Sequence, residues 1–249
     1  MSQEVPCCHA ELVSASSLYL QSFYRRERVK KVAVFSIIIV VLTVAQGVAK
    51  DLEIKGKQLV SQKPPFTLSL PSEFLLIHSF SQENPGENSL TRGYFLIKQK
   101  NKQVEEMLIL QIADRTNPQA EPIQAPSLKP YTEKRMYLKD RKKRGDLEIE
   151  RLIQLFAWNP EASSLQPIMK KGFTIPSRWA VQGQFLFNYV GEHVVFVRYS
   201  RDVNTFGLKV SEIGENWDKG SISGNEQKVY EVFRKGFLEM IDSIQIKNQ

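Results

Sequence analysis

Arg198, Arg201, Asp202 and Asn204 stand together in the segment RYSRDVNTFG, where a strand-like run gives way to turn residues. Two guanidinium forks beside a carboxylate and an amide could form a polar ligand site at a strand end. The structural alternative is an ion pair plus a turn, with Asp202 satisfying an arginine and Asn204 opening the turn. His78 and His193, the histidines after residue 49, are far apart and lack metal-ligand spacing, so no metal site is expected. Adjacent carboxylates such as Glu105 and Glu106 point to opposite faces of a strand and form no acid/base couple. No G-x-S-x-G, phosphate-binding glycine loop or H-E-x-x-H occurs. No catalytic residue and no cofactor are therefore expected.

Both cysteines, Cys7 and Cys8, lie near the N-terminus. Residues 50–249 thus have no disulfide framework, thiol nucleophile or thiolate metal site. Trp158, Trp179 and Trp217 fall near element ends, where core packing is the default and a surface aromatic patch the alternative. The chain carries a formal net charge of +7, and much of the excess is concentrated in residues 134–145, KRMYLKDRKKRG. Lys134, Arg135, Lys139, Arg141, Lys142, Lys143 and Arg144 make up this basic patch. It suits anionic lipid head groups, a cell-wall polymer or an acidic protein; the favoured reading is a solvated loop beside Asp146, Glu148 and Glu150. Nucleic acid is not expected, because Tyr137 alone could stack on a base there.

Hydrophobic periodicity supplies the elements that must hold these residues. Residues 51–63 read as a polar, mobile lead-in. Residues 64–71, PPFTLSLP, alternate as an edge strand bounded by prolines. A second strand follows over 73–80, then a turn-rich loop over 81–89. Residues 90–98 and 104–113 form an antiparallel pair, and the prolines at 118, 122, 126 and 130 keep 114–133 a loop. Residues 146–158 fit either a helix or an imperfect strand; the reading leans to helix, with Asp146 as N-cap and Asn159-Pro160 as stop. Residues 183–200 form a hairpin around a Gly191-Glu192 turn, apolar on both faces and therefore central. The last element opens with Ser223 and Glu226 at capping-box spacing. Val229, Val232, Phe233, Phe237, Met240, Ile241 and Ile244 then recur at helical intervals, and Gly236 permits close approach to a strand. The expected architecture is α+β: an antiparallel β-sheet layered with helices, ending in a long C-terminal amphipathic helix.

The uncharged run at 32–49, VAVFSIIIVVLTVAQGVA, sets the compartment. Lysines flank it, its centre is strongly apolar, and its last turn is small and mildly polar. This is the pattern of a signal peptide cleaved after Gly47 or Ala49; an uncleaved membrane anchor and a buried core helix are the alternatives. Residues 1–28 read as an extension upstream of a natural start near Val29, because a signal peptide begins close to its basic region; a cytoplasmic tail is the other possibility. The organisation expected is an N-terminal extension at 1–28, a signal peptide at 29–49 and one exported domain at 50–249, placed in the periplasm or secreted. No cysteine follows the apolar run to carry a lipid.

The phrase PPFTLSLPSEF and a terminal helix running into FLEMIDSIQI resemble the PsbP-like family. That resemblance implies an α/β/α sandwich around an antiparallel sheet and a non-catalytic accessory or assembly role in an exported compartment. It transfers no binding residue. Two functional classes are expected: a non-enzymatic envelope module that binds a protein or envelope component, or a small-ligand or hydrolytic domain. The second requires Arg198, Arg201, Asp202 and His193 to converge on a pocket.

Overall fold

The structure, a computed structural model, describes residues 51–176, 179–211 and 215–246. The apolar run at 32–49, the segment 1–28 and both cysteines lie outside the described residues. Among the described residues no helix is long and apolar enough to cross a membrane.

The chain opens with β1 (Leu52–Lys55), β2 (Gln58–Gln62) and β3 (Pro65–Ser69). Next come β4 (Leu75–Asn84), β5 (Ser89–Lys100), β6 (Gln103–Arg115), β7 (Met136–Arg144) and β8 (Leu147–Ala157). A short helix, α1 (Gln166–Met169), precedes β9 (Trp179–Tyr189) and β10 (His193–Asp202). Helix α2 (Gly224–Asp242) and β11 (Gln245–Ile246) complete it. The strands form two antiparallel sheets, ordered β1-β2-β3-β11 and β4-β5-β6-β10-β9-β8-β7.

This corrects the α+β expectation. Strands take 49 % of the described residues, while the α-helices among them number two, of 4 and 19 residues. The layer facing the large sheet is shared by α2 and a second, four-stranded sheet. Residues 51–63, expected as a mobile lead-in, supply two of its strands, and 65–69, expected at an edge, lie between β2 and β11. Residues 146–158, read towards helix, are strand β8, paired on both sides by β7 and β9. Gly145, at φ +57, turns β7 into β8 with Asp146. Asp146 thus serves a hairpin turn and not a helix N-cap, and Ile149, Ile153 and Leu155 face one side at strand period.

Turn chemistry fixes the registers. Asn101 and Lys102 both have positive φ, 51 and 65, the combination that matches the twist of a tight β5–β6 hairpin. The β9–β10 loop runs from Val190 to Glu192 instead of two residues, and the Asn188 side chain accepts from Gly191 N at 2.9 Å.

Both faces of the large sheet are apolar, as strands covered on two sides require. Its inner face, with Tyr94, Leu110, Val197 and Phe185, packs on Leu59, Phe66 and Leu68 of the small sheet and on Phe233 and Phe237 of α2. A Cβ on Gly183 would lie 2.5 Å from the Phe237 ring, so the strand–helix approach depends on Gly183; Gly236 has nothing within 4 Å. Val232 is exposed. Ser223 makes no side-chain cap bond; Glu226 accepts instead from Ser211 N and Oγ, both at 2.6 Å. The outer face is covered in two places. Trp158, Leu165 and Ile168 pack over Met107 and Ile109, while Ile123 and Leu128 cover Leu186 and Val194.

Candidate functional site

Side chains on a strand alternate between faces, and β10 separates the expected cluster accordingly. Arg198 and Asp202 share the outer face; Arg201 points inward. There Arg201 donates to Thr205 Oγ1 and Thr205 O, both at 3.0 Å, and lies over the Phe206 ring at 4.1 Å. Asp202 is buried and closes the following turn, its Oδ1 accepting from Asn204 N at 2.9 Å and Asn204 Nδ2 at 3.2 Å. Asn204 is exposed. His193 sits at the opposite end of β10. The four residues and His193 do not converge.

Two buried carboxylates flank the inner apolar core, each absorbed by a network. At one end Arg92 donates through Nε to Asp114 Oδ2 at 2.8 Å and through Nη1 to Asp51 Oδ2 at 2.8 Å. His193 Nδ1 meets Asp114 Oδ1 at 2.7 Å, with its ring stacked on Tyr189. Burial alone pulls the Arg92 guanidinium down; its bond to Asp114 and the nearby charges outweigh that and raise it. At the other end Glu106 accepts from Ser72 Oγ at 2.8 Å, Lys98 Nζ at 2.9 Å and Tyr199 OH at 2.7 Å. Burial pushes the Glu106 carboxyl up, but the bonds from Lys98, Tyr199 and Ser72 prevail and hold it below its ordinary value. Burial and the facing carboxylate push the Tyr199 hydroxyl well up. Each carboxylate is thus taken up by structural hydrogen-bond partners.

The basic residues lie on an edge strand and the turn before it, which replaces the expected loop. Lys142 pairs with Asp242 at 2.8 Å, and Arg144 Nη1 donates to Ile241 O at 3.0 Å, tying β7 to the end of α2. Arg135 lies over Trp179 at 4.9 Å and reaches Asp218 at 3.2 Å. Arg141 reaches Glu148 at 3.2 Å. Among the described residues Lys134, Lys139 and Lys143 form no ion pair. Lys139, Arg141 and Lys143 alternate along one exposed row, a pattern that also blunts a sheet edge against unwanted pairing.

The outer face of the large sheet carries buried polar side chains among its apolar ones. Across the middle strands Gln154, Gln182 and Ser200 lie in one row. Gln182 Oε1 accepts from Gln154 Nε2 at 3.0 Å and from Gln184 Nε2 at 2.5 Å, and Gln182 Nε2 donates to Ser200 Oγ at 3.3 Å. In the next row Arg198 stands between Ile109 of β6 and Gln184 of β9. Its guanidinium lies 5.4 Å from the Phe196 ring centroid. Its Nε is buried with no hydrogen-bond partner among the described residues, as is Trp158 Nε1 on the same side of the sheet. This row lies between the two apolar covers, and Arg198 itself is only half-buried.

Nearer the β4 edge, Phe80 lies flat on Gly93, where a Cβ would meet its ring at 2.0 Å. His78 stacks on Phe80, and burial together with the Lys171 charge lowers its basicity, leaving it neutral at pH 7. Trp158 and Trp217 are core residues and Trp179 is half-buried. Among the described residues no group of three or more His, Cys, Asp and Glu side chains could hold a metal ion. Sequence reasoning missed Gln154, Gln182 and Gln184; the signal was present in glutamines at positions that alternate with apolar residues in two central strands. No protein-family model matches the chain, and no curated protein or solved structure matches it.

Proposed function

We propose that the chain is a non-catalytic binding domain that works outside the cytoplasm and takes its ligand on the outer face of the seven-stranded sheet. The export pattern at 32–49 supports the compartment. The observation that carries the binding role is Arg198. A buried N–H of a charged group is almost always satisfied in folded proteins, and an orphan costs about 1–3 kcal/mol. Asp114 and Glu106, by contrast, are consumed by structural partners, which argues against acid/base chemistry in the inner core. The hydrolytic alternative loses its support with the dispersal of Arg198, Arg201, Asp202 and His193 over two faces and two strand ends.

Native mass spectrometry of the protein recovered from its own envelope tests this reading. A bound mass on the wild type that is absent from Arg198→Leu is expected. Ligand-free masses for both proteins, or the same adduct on both, would sink it.

A further inference from the structure

We infer that the ligand held at Arg198 is a small monocarboxylate with an apolar body; this rests on the reading of the chain as a binding domain. What Arg198 lacks is an oxygen acceptor, and its cationic fork selects an anionic one. A guanidinium presents Nε–H and Nη–H in one plane, the spacing that two carboxylate oxygens fill together. The neighbours on the sheet limit the charge the ligand can carry. On β9 and β6 the side chains next to Arg198 in register are Gln184 and Ile109, and one row away lie Leu186 and Gln111. None is cationic. A dianionic phosphate ester would therefore sit against one positive charge, whereas a monocarboxylate is balanced by it.

Of the carboxylates on this face, Glu150 is taken by Ser127 Oγ at 2.8 Å and Leu128 N at 3.1 Å, and Asp202 closes its turn on Asn204 N at 2.9 Å. The acceptor that Arg198 lacks is therefore sought in an external acid. The half-buried Phe196 ring offers apolar contact beside the guanidinium, which favours an aliphatic or aromatic body over a sugar acid. The hydrogen-bonded Gln154–Gln182–Gln184–Ser200 chain fixes the floor beside it, so the site is held in place before the ligand arrives.

The test uses octanoate as probe, with octanol and inorganic phosphate as the uncharged and dianionic controls. The arginine Nε–Hε resonances of 15N-labelled protein report directly, and Arg198→Lys assigns the Arg198 signal by its loss. A saturable shift of the Arg198 signal with octanoate is expected, with at least tenfold weaker response to phosphate and none to octanol. Arg198→Leu, which removes the fork, and Arg198→Lys, which keeps the charge without it, should each lower octanoate affinity at least tenfold by calorimetry. An unshifted Arg198 signal, an equal response to phosphate, or undiminished affinity in folded Arg198→Lys would each overturn the inference. If a native adduct depends on Arg198 while octanoate fails, the ligand chemistry is wrong and the binding reading stands.

Discussion

Arg201 shows how much a single residue's position decides. It is three places from Arg198, an odd number, so on one strand the two must point to opposite faces. That separation was legible once 193–202 read as strand, as was the role of Asp202 and Asn204 in the turn. The pairing of His193 with Asp114 was not legible, because it needs the register of β10 against β6, which no local pattern encodes. Two predictions belong at this scale. Gly183→Ala drives a methyl into the Phe237 ring at 2.5 Å, and overpacking of that kind costs about 1–3 kcal/mol; a lowered urea midpoint at unchanged slope is the expected result, relieved in part by Phe237→Leu. Glu106 gives the second. Its folded-state pKa is depressed below the ordinary 4.5, so its network contributes stability above about pH 4.5 that is lost as pH falls through the folded value. Glu106→Gln should therefore be less stable than wild type at pH 7, with the gap closing below pH 4.5. A gap that stays constant from pH 7 to pH 3 would show that Lys98, Tyr199, Ser72 and Arg201 draw nothing from the carboxylate's charge.

At the scale of elements, residues 146–158 carry the lesson. The apolar residues there satisfy helical and strand spacing almost equally, and Asp146 with Asn159-Pro160 supplied plausible helix ends. The stronger signal was one residue upstream: Gly145-Asp146 between two runs of about ten residues is a hairpin turn. With β7 and β9 on its two sides, β8 buries Ile149, Leu152, Ile153 and Leu155, and tertiary pairing overrides the local preference. Similar reasoning explains 51–63, where polar residues alternate with Leu52, Leu59 and Ser61 facing the core, so composition alone suggested a tail. Gly145→Ala separates the two readings. At φ +57 with open space around it, the substitution meets no clash and pays only the left-handed conformational cost, about 1–2 kcal/mol. A lowered urea midpoint is expected; a raised midpoint is what the same change would give beside a helix start, where alanine is the better former.

The whole molecule is arranged by closure between distant parts of the chain. Strand β11 pairs with β3, with Gln245 opposite Thr67 and Ile246 opposite Phe66, so the two ends of the described chain share the small sheet. Nothing local announces this: β11 has two residues, and its pairing is a meeting across nearly the full length. The sandwich of two sheets was unreadable for the same reason, since a strand's partner layer is set by long-range burial and the terminal helix, being the longest periodic segment, suggested a helical layer. Deletion of residues 243–249 tests how the small sheet is held. It removes Ile244, buried in the inner core, and Ser243 Oγ, which accepts from Ser69 N at 2.8 Å and donates to Met240 O at 2.6 Å. Burial of one such aliphatic side chain contributes about 1.5–3 kcal/mol and each net hydrogen bond about 1 kcal/mol, so a fall of a few kcal/mol in stability follows. The slope of the urea transition decides the rest, because it scales with the surface exposed on unfolding. Leu59, Phe66 and Leu68 still bury against the large sheet without β11, so the truncated protein should unfold at lower urea with its slope preserved. A slope that falls sharply would mean that the small sheet detaches in the native state and that the segment following α2 holds it in place.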